Sequence, residues 1–226
     1  MKELVGQEIA KRVKDGEIIG IGTGSTVDFA VAAIAKRIKE EKLTIRAVPS
    51  SYETARKCEE AGIQVLSPLF SGEISWGFDG ADEVDPNLRL IKGRGGALLQ
   101  EKILALKCRK FVIIVDESKI VKNLGEKFPI PVEVIPEAYL LTKKALIKLG
   151  STEVTLREGS GKFGAVISEK GNYILDARFN NIEDALESKI KAAIGVVESG
   201  LFIAYTDEVL VATSKGIEKL TRSSSK

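Results

Sequence analysis

The stretch Glu17–Glu40, EIIGIGTGSTVDFAVAAIAKRIKE, decides the fold. It opens on a short apolar run and turns through Gly20, Gly22 and Gly24. It continues with Val27, Val31, Ile34 and Ile38 at helical spacing. A buried strand, a glycine turn and a helix in that order form the unit of a parallel sheet, whose neighbouring strands need crossover connections. The turn itself, Gly20-Ile21-Gly22-Thr23-Gly24-Ser25-Thr26, lets backbone N–H groups approach an anion, and the head of the helix adds positive potential. Ser25 and Thr26 add hydroxyls, so a phosphate is the natural guest. A P-loop would need Gly-Lys-Ser/Thr, and the dinucleotide fingerprint would need glycine where Ser25 stands. The same residues also suit an ordinary tight turn with a Ser or Thr helix cap.

Moving outward, the alternation repeats. Thr44–Pro49 reads as a strand, and Ser50 three residues before Glu53 marks a capping box for a helix to about Ala61. Ile63–Ser67, Ile74–Asp79 and Leu88–Lys92 are strand candidates, Ala97–Arg109 is helical, and Phe111–Asp116 (FVIIVD) is a fully apolar strand. Past Pro129-Ile130-Pro131 the pattern changes. A strand (Val132–Ile135) and a helix (Glu137–Leu149) precede strand candidates at Val154–Arg157, Ala165–Ser168 and Tyr173–Phe179. A helix (Ile182–Ala193) and a strand near Val196–Ile203 complete that series. Glu208–Ala212 and a short helix over Gly216–Arg222 then read as a return to the first sheet, and Ser223–Lys226 is expected to fray. The expected fold is α/β: an open, mainly parallel Rossmann-like sheet with an inserted small α+β domain of ferredoxin-like type. Residues 1–128 and 204–226 form the larger domain in this reading, and 129–203 the smaller one, a plausible subunit interface.

Composition narrows the function. The chain has 226 residues, 44% hydrophobic and 29% charged, with a net charge of +2. It is globular, and neither a nucleic acid nor a membrane surface is expected as its main partner. It contains no histidine, which removes His bases, Ser-His-Asp and Cys-His nucleophile systems and His-ligated zinc. Cys58 and Cys108 stand alone, so reduced, cytoplasmic surroundings are expected. The N-terminal segment lacks the apolar core of a signal peptide, and no run is long enough to span a membrane. Three Gln, five Asn and one Met among many Lys and Glu fit a thermophile.

Three further segments can carry chemistry. Asp79-Gly80-Ala81-Asp82-Glu83-Val84-Asp85 begins at the carboxyl end of a strand, where open α/β sheets bind ligands. Gly80 and Ala81 permit close approach. The carboxylates lack EF-hand spacing and histidine help, and a solvated acidic loop is the ordinary alternative. Lys92-Gly93-Arg94-Gly95-Gly96 offers a lysine for a developing oxyanion. Glu101, near a helix start, can serve as a general base if burial raises its pKa, or as a first-turn charge favourable to the helix dipole. Lys119 of Asp116-Glu117-Ser118-Lys119 belongs to the same expected sheet edge. Four loops after parallel strands would thus supply an anion cradle, carboxylates, a lysine and a base, a set suited to a small polyhydroxylated phosphate ester without a metal.

GTGST at Gly22–Thr26, DGADEVD at Asp79–Asp85, KGRGGALLQEK at Lys92–Lys102 and DESK at Asp116–Lys119 together resemble the type A ribose-5-phosphate isomerases. The one visible departure is Arg94, where many relatives carry Gly. The resemblance implies interconversion of D-ribose 5-phosphate and D-ribulose 5-phosphate in the non-oxidative pentose phosphate pathway, with no cofactor and no metal. It implies Glu101 as the proton acceptor between C2 and C1. It assigns Asp79 and Asp82 to the sugar hydroxyls and Lys92 to the enediolate. Thr23, Gly24, Ser25, Thr26, Gly80, Ala81, Gly93, Arg94, Gly95 and Lys119 match substrate-binding positions, with Lys2 as a further phosphate contact. A homodimer or homotetramer is expected. Two other readings are a sugar-phosphate sensor and a CoA transferase-like enzyme. The first normally carries a helix-turn-helix segment, for which a first strand near residue 17 leaves no room. The second lacks the short sugar-isomerase pattern.

Overall fold

The computed structural model describes residues 1–161 and 163–221. Its contacts divide the chain into two compact units. The first comprises Met1–Ala81, Gln100–Ile120 and the chain from Tyr205 on; the second comprises Asp82–Leu99 and Val121–Ala204.

Unit 1 is built on a seven-stranded sheet. Its strands are β1 (Ile18–Ile21), β2 (Arg46–Pro49), β3 (Gln64–Val65), β4 (Trp76–Asp79), β7 (Phe111–Asp116), β13 (Glu208–Thr213) and β14 (Gly216–Thr221). Their order is β14-β13-β7-β4-β1-β2-β3, parallel throughout except for the β13–β14 hairpin. The chain leaves β1 towards β2 on one side, while β4 lies on the other. The crevice between the carboxyl ends of β1 and β4 is therefore a topological switch point. Central β7 is buried at all six positions, as its unbroken FVIIVD requires. The expected helix at residues 216–222 is instead β14; Arg222 lies outside the described residues. Thr213 Oγ1 donates to the Gly216 carbonyl at the turn, and pairing with β13 from Glu208↔Thr221 to Thr213↔Gly216 outweighs local helical preference.

The segment before β1 is helix α1 (Lys2–Arg12). Its Val5 and Ile9, with Val13 just past its C-terminal end, join the main core at i, i+4 spacing. It packs on α2 (Ser25–Glu41), and at Gly6 an added Cβ would lie 2.8 Å from the Phe29 backbone. Helix α3 (Tyr52–Glu60) is capped by Ser51, which accepts from Thr54 N, and not by the expected Ser50. Helix α4 (Leu98–Lys107) seats on a niche in the sheet. Gly20 and Gly77 are register partners, and an added Cβ on either would meet Cys108 Sγ at 2.7 and 2.6 Å. Leu104 of α4 lies against Gly20 as well, at 3.0 Å from such a Cβ. Burial pushes the Cys108 thiol up to about 12, so it packs as an inert apolar group.

Unit 2 holds two sheets. The four-stranded one contains β8 (Ile130–Val134), β9 (Glu153–Leu156), β10 (Tyr173–Arg178) and β11 (Val196–Ser199) in the order β11-β8-β10-β9, antiparallel throughout. With α5 (Tyr139–Lys148) after β8 and α6 (Ala185–Lys191) after β10, this is the ferredoxin-like arrangement. The expected strand at residues 165–168 makes only the isolated bridges Glu158↔Ala165 and Ile167↔Tyr173. The second sheet is β12-β6-β5, from β5 (Glu83–Val84), β6 (Leu90–Ile91) and β12 (Leu201–Phe202). Strand β6 is antiparallel to both neighbours, so the Lys92 loop does not follow a strand of the parallel sheet as expected. The expected strand near 196–203 is split at Gly200, where the chain passes between sheets. Gly200 N donates to Pro131 O and Gly200 O accepts from Lys92 N, which places residues 82–99 in this unit. Among the described residues, no helix is long and apolar enough to cross a membrane.

Candidate active site

In unit 1 the loops after β1, β2, β4 and β7 all leave the carboxyl edge of the sheet. Around the switch point Asp79, buried at the end of β4, accepts at Oδ1 from Thr23 N (3.0 Å) and from Gly80 N (2.7 Å). Gly22 has to lack a side chain, because a Cβ there would fall 2.0 Å from the Asp79 carboxyl carbon. The Thr23 hydroxyl is turned into a cluster: it bonds Ser50 (2.8 Å), Ser51 (2.7 Å) and Thr54 (3.1 Å), while Thr54 Oγ1 donates to Gly22 O (2.8 Å). These hydroxyls brace the glycine turn from behind. Their signal was a SSYET run at Ser50–Thr54, legible only as a helix cap without the fold.

Gly24, with φ 138°, precedes the first turn of α2, and Ser25 and Thr26 open that helix. Lys2 Nζ donates to Ser25 Oγ at 2.8 Å. Asp116 closes β7 and accepts from Ser118 N at 3.0 Å. Burial would raise its pKa, but the Ser118 hydrogen bonds and the charges of Lys119 and Lys2 hold it below the ordinary value. The same edge thus carries two lysines and a helix N-terminus, an electropositive corner. Glu101 lies buried in the first turn of α4. Because α4 leads down to the start of β7, its own start lies towards the carboxyl edge of the sheet.

In unit 2, Asp82 N donates to Ile91 O (2.8 Å) and the Asp82 carboxylate accepts from Arg94 N (3.2 Å), which joins the acidic loop to the Lys92 loop. Lys92 is buried, with Nζ 5.6 Å from the centre of the Phe202 ring. Gly93 adopts φ 101°, where a side chain would be strained, and an added Cβ would meet Leu98 at 2.8 Å. Arg94 lays its guanidinium 4.4 Å from the Phe128 ring centre, so its extra bulk is drawn onto an aromatic face. Gly95 is exposed, as are Gly24 and Ser25 in unit 1; Gly80, Ala81 and Lys119 are half-buried.

The acidic run is not a uniform solvated loop. Glu83 is buried and accepts from the amides of Gly125, Lys127 and Phe128 at 2.6–2.7 Å. Asp85 accepts from Asn87 N, Arg89 N and the Arg89 guanidinium. Both are structural, which separates them from Asp79 and Asp82. Among the described residues no group of three or more His, Cys, Asp or Glu side chains could hold a metal ion.

The family model of ribose 5-phosphate isomerase A (phosphoriboisomerase A) matches residues 46–216. Ribose-5-phosphate isomerase A of Methanocaldococcus jannaschii is 46% identical over 225 residues, covering 98% of each chain. That of Methanothermobacter thermautotrophicus is 41% identical over 222 residues, covering 97% of each. The solved Methanocaldococcus jannaschii structure superposes with a TM-score of 0.93 at 47% identity, covering 97% of both chains. A D-ribose-5-phosphate isomerase solved in complex with phospho-erythronic acid gives 0.94 at 39% identity, covering 98% of this chain and 97% of that one. The chain belongs to the ribose 5-phosphate isomerase A family.

Proposed function

We propose that the protein interconverts D-ribose 5-phosphate and D-ribulose 5-phosphate through a cis-enediolate, in the non-oxidative pentose phosphate pathway. The observation that carries this reading is the carboxyl edge of the unit 1 sheet. An anion cradle with Lys2 on Ser25 lies after β1, and the Asp79 carboxylate lies after the neighbouring β4. Phosphate recognition and sugar chemistry are thereby divided between adjacent loops.

The substrate phosphate is held at the head of α2 by Gly24, Ser25 and Thr26, with Lys2 and Lys119. Being remote from the reacting carbons, it contributes orientation. Asp79 and Asp82 contact the sugar hydroxyls, assist ring opening and carry the O1–O2 proton exchange. Glu101 removes the C2 proton of the open-chain aldose and returns it to C1, so the reaction is balanced without a redox cofactor. Lys92 stabilises the enediolate oxygen. Gly80, Ala81, Gly93, Arg94 and Gly95 let main chain approach the ligand. Phospho-erythronic acid, bound by a relative, is itself a phosphorylated carboxylate, an anion of the kind an enediolate presents. The exposed Leu140, Leu141, Ile147 and Ile194 of unit 2 support a homodimer or homotetramer. A cytoplasmic setting fits two free cysteines. A thermophilic one fits the Glu60-Arg56-Glu53-Lys57-Asp28 ion-pair chain across α3 and α2.

The test is turnover of ribose 5-phosphate with EDTA present, on wild type and Glu101→Gln in parallel. Wild type is expected to turn over without metal, and the variant to lose about 10²–10⁴-fold while still binding substrate. A variant keeping more than about a tenth of the activity removes Glu101 as the base. Loss of wild-type activity in EDTA, restored by a divalent ion, overturns the metal-free mechanism.

A further inference from the structure

We propose that Arg157 is a positioning residue for the Lys92–Gly96 loop, setting the geometry of Lys92 and Asp82 without touching substrate; this rests on the isomerase reading above. Arg157 follows β9, with its amide donating to Ile174 O at 2.9 Å. Its guanidinium is gripped by Asp176 of β10 through Nε–Oδ2 at 2.8 Å and Nη2–Oδ1 at 2.5 Å, a two-point fork. Both side chains are largely shielded, at 14% and 17% exposure. The remaining nitrogen, Nη1, donates to Gly93 O and to Arg94 O, each at 2.9 Å.

Those two carbonyls belong to the loop that begins at Lys92. Successive carbonyls aimed at one point repel each other unless a cation lies there, and Arg157 supplies it. Peptide planarity transmits the constraint. The Gly93–Arg94 peptide gives its carbonyl to Arg157 and its N–H to the Asp82 carboxylate. One rigid plane therefore couples Arg157 to Asp82, and Lys92 is the next residue back along the chain. With glycine at 93, 95 and 96, the loop has little stiffness of its own. Glu169 N on Gly96 O (3.2 Å) holds its far end through a backbone hydrogen bond that does not involve Arg157. A lysine at 157 could not make the fork to Asp176 while bridging two carbonyls.

The experiment compares wild type, Arg157→Lys and Arg157→Ala for ribose 5-phosphate turnover, with folding checked by thermal melting. In Arg157→Lys, kcat is expected to fall roughly 10–100-fold, as for a displaced catalytic group. KM should stay within about threefold, because the phosphate contacts are supplied by other residues. In Arg157→Ala, millimolar guanidinium chloride, against a sodium chloride control, is expected to restore part of kcat. If the alanine variant does not fold, Arg157→Lys carries the test. A folded Arg157→Lys with kcat within about twofold of wild type overturns the proposal. So does loss of activity that only tracks loss of folded protein. A well-folded wild type without isomerase activity overturns the underlying reading instead, before any variant is compared.

Discussion

At the scale of single residues, the acidic run Asp79–Asp85 separates by what each carboxylate touches. Glu83 and Asp85 are consumed by backbone amides and Arg89, whereas Asp79 shapes the glycine turn and Asp82 the Lys92 loop. Composition could not make that division, because all four side chains carry the same charge in the same seven residues. Lys92 allows a sharper statement. It is buried, and its proposed partner becomes negative only as the reaction proceeds. Lys92→Ala is expected to lower kcat by about 10²–10³-fold, as oxyanion donors do, with a much smaller rise in KM. Steady-state kinetics decide it, and an effect confined to KM would demote Lys92 to ground-state binding.

At the scale of elements, the placement of α4 matters most, because that helix carries the proposed base. Gly20 and Gly77 pair across β1 and β4 and together leave room for Cys108 and Leu104. Glu101 lies one turn before Leu104, so the niche sets its position. Gly77→Ala would put a Cβ 2.6 Å from Cys108 Sγ and 3.0 Å from the Gly20 backbone. Overpacking of this kind costs about 1–3 kcal/mol. The variant is expected to melt lower and to lose kcat together, while Gly161→Ala, with nothing within 4 Å, should change neither. Melting curves and turnover on both variants check this; a Gly77→Ala protein with wild-type kcat would detach the niche from catalysis.

At the scale of the molecule, unit 1 is closed by one buried charge. Glu208 opens β13 and gathers Arg12 of α1 at 2.7 Å, Lys110 before β7 at 2.7 Å and Lys219 of β14 at 3.3 Å. Burial would raise its pKa, but hydrogen bonds from Arg12 and Lys110 outweigh that and hold it at about 2, against an ordinary 4.5. The folded state therefore binds this proton less readily than the unfolded chain. The stabilisation is complete above about pH 4.5 and is lost as pH falls towards 2. Glu208→Gln is expected to cost about 1.5–3 kcal/mol near neutrality, the range for hydrogen bonds to charged groups. Urea unfolding at a series of pH values should show the difference from wild type shrinking below pH 4.5. A difference constant down to pH 2.5 would mean that Glu208 acts through packing instead of charge.

The sequence by itself determined the parallel βα alternation of the first half, the ferredoxin-like order of the second and the four motifs that mark the family. Those features are local, since periodicity, glycine turns and apolar runs act within a few residues. Only the tertiary structure decided the rest. It made Gly216–Thr221 a strand, because a backbone ladder on β13 offered more than a short helix could. It moved Leu90–Ile91 into an antiparallel sheet with Leu201–Phe202, a partner more than a hundred residues away. It capped α3 with Ser51, one residue on from the expected Ser50, and it brought Arg157 onto the carbonyls of Gly93 and Arg94. For Leu90–Ile91 and for the Gly93 and Arg94 carbonyls the deciding partner is distant in sequence, and a contact of that kind leaves no periodic trace in the chain that makes it.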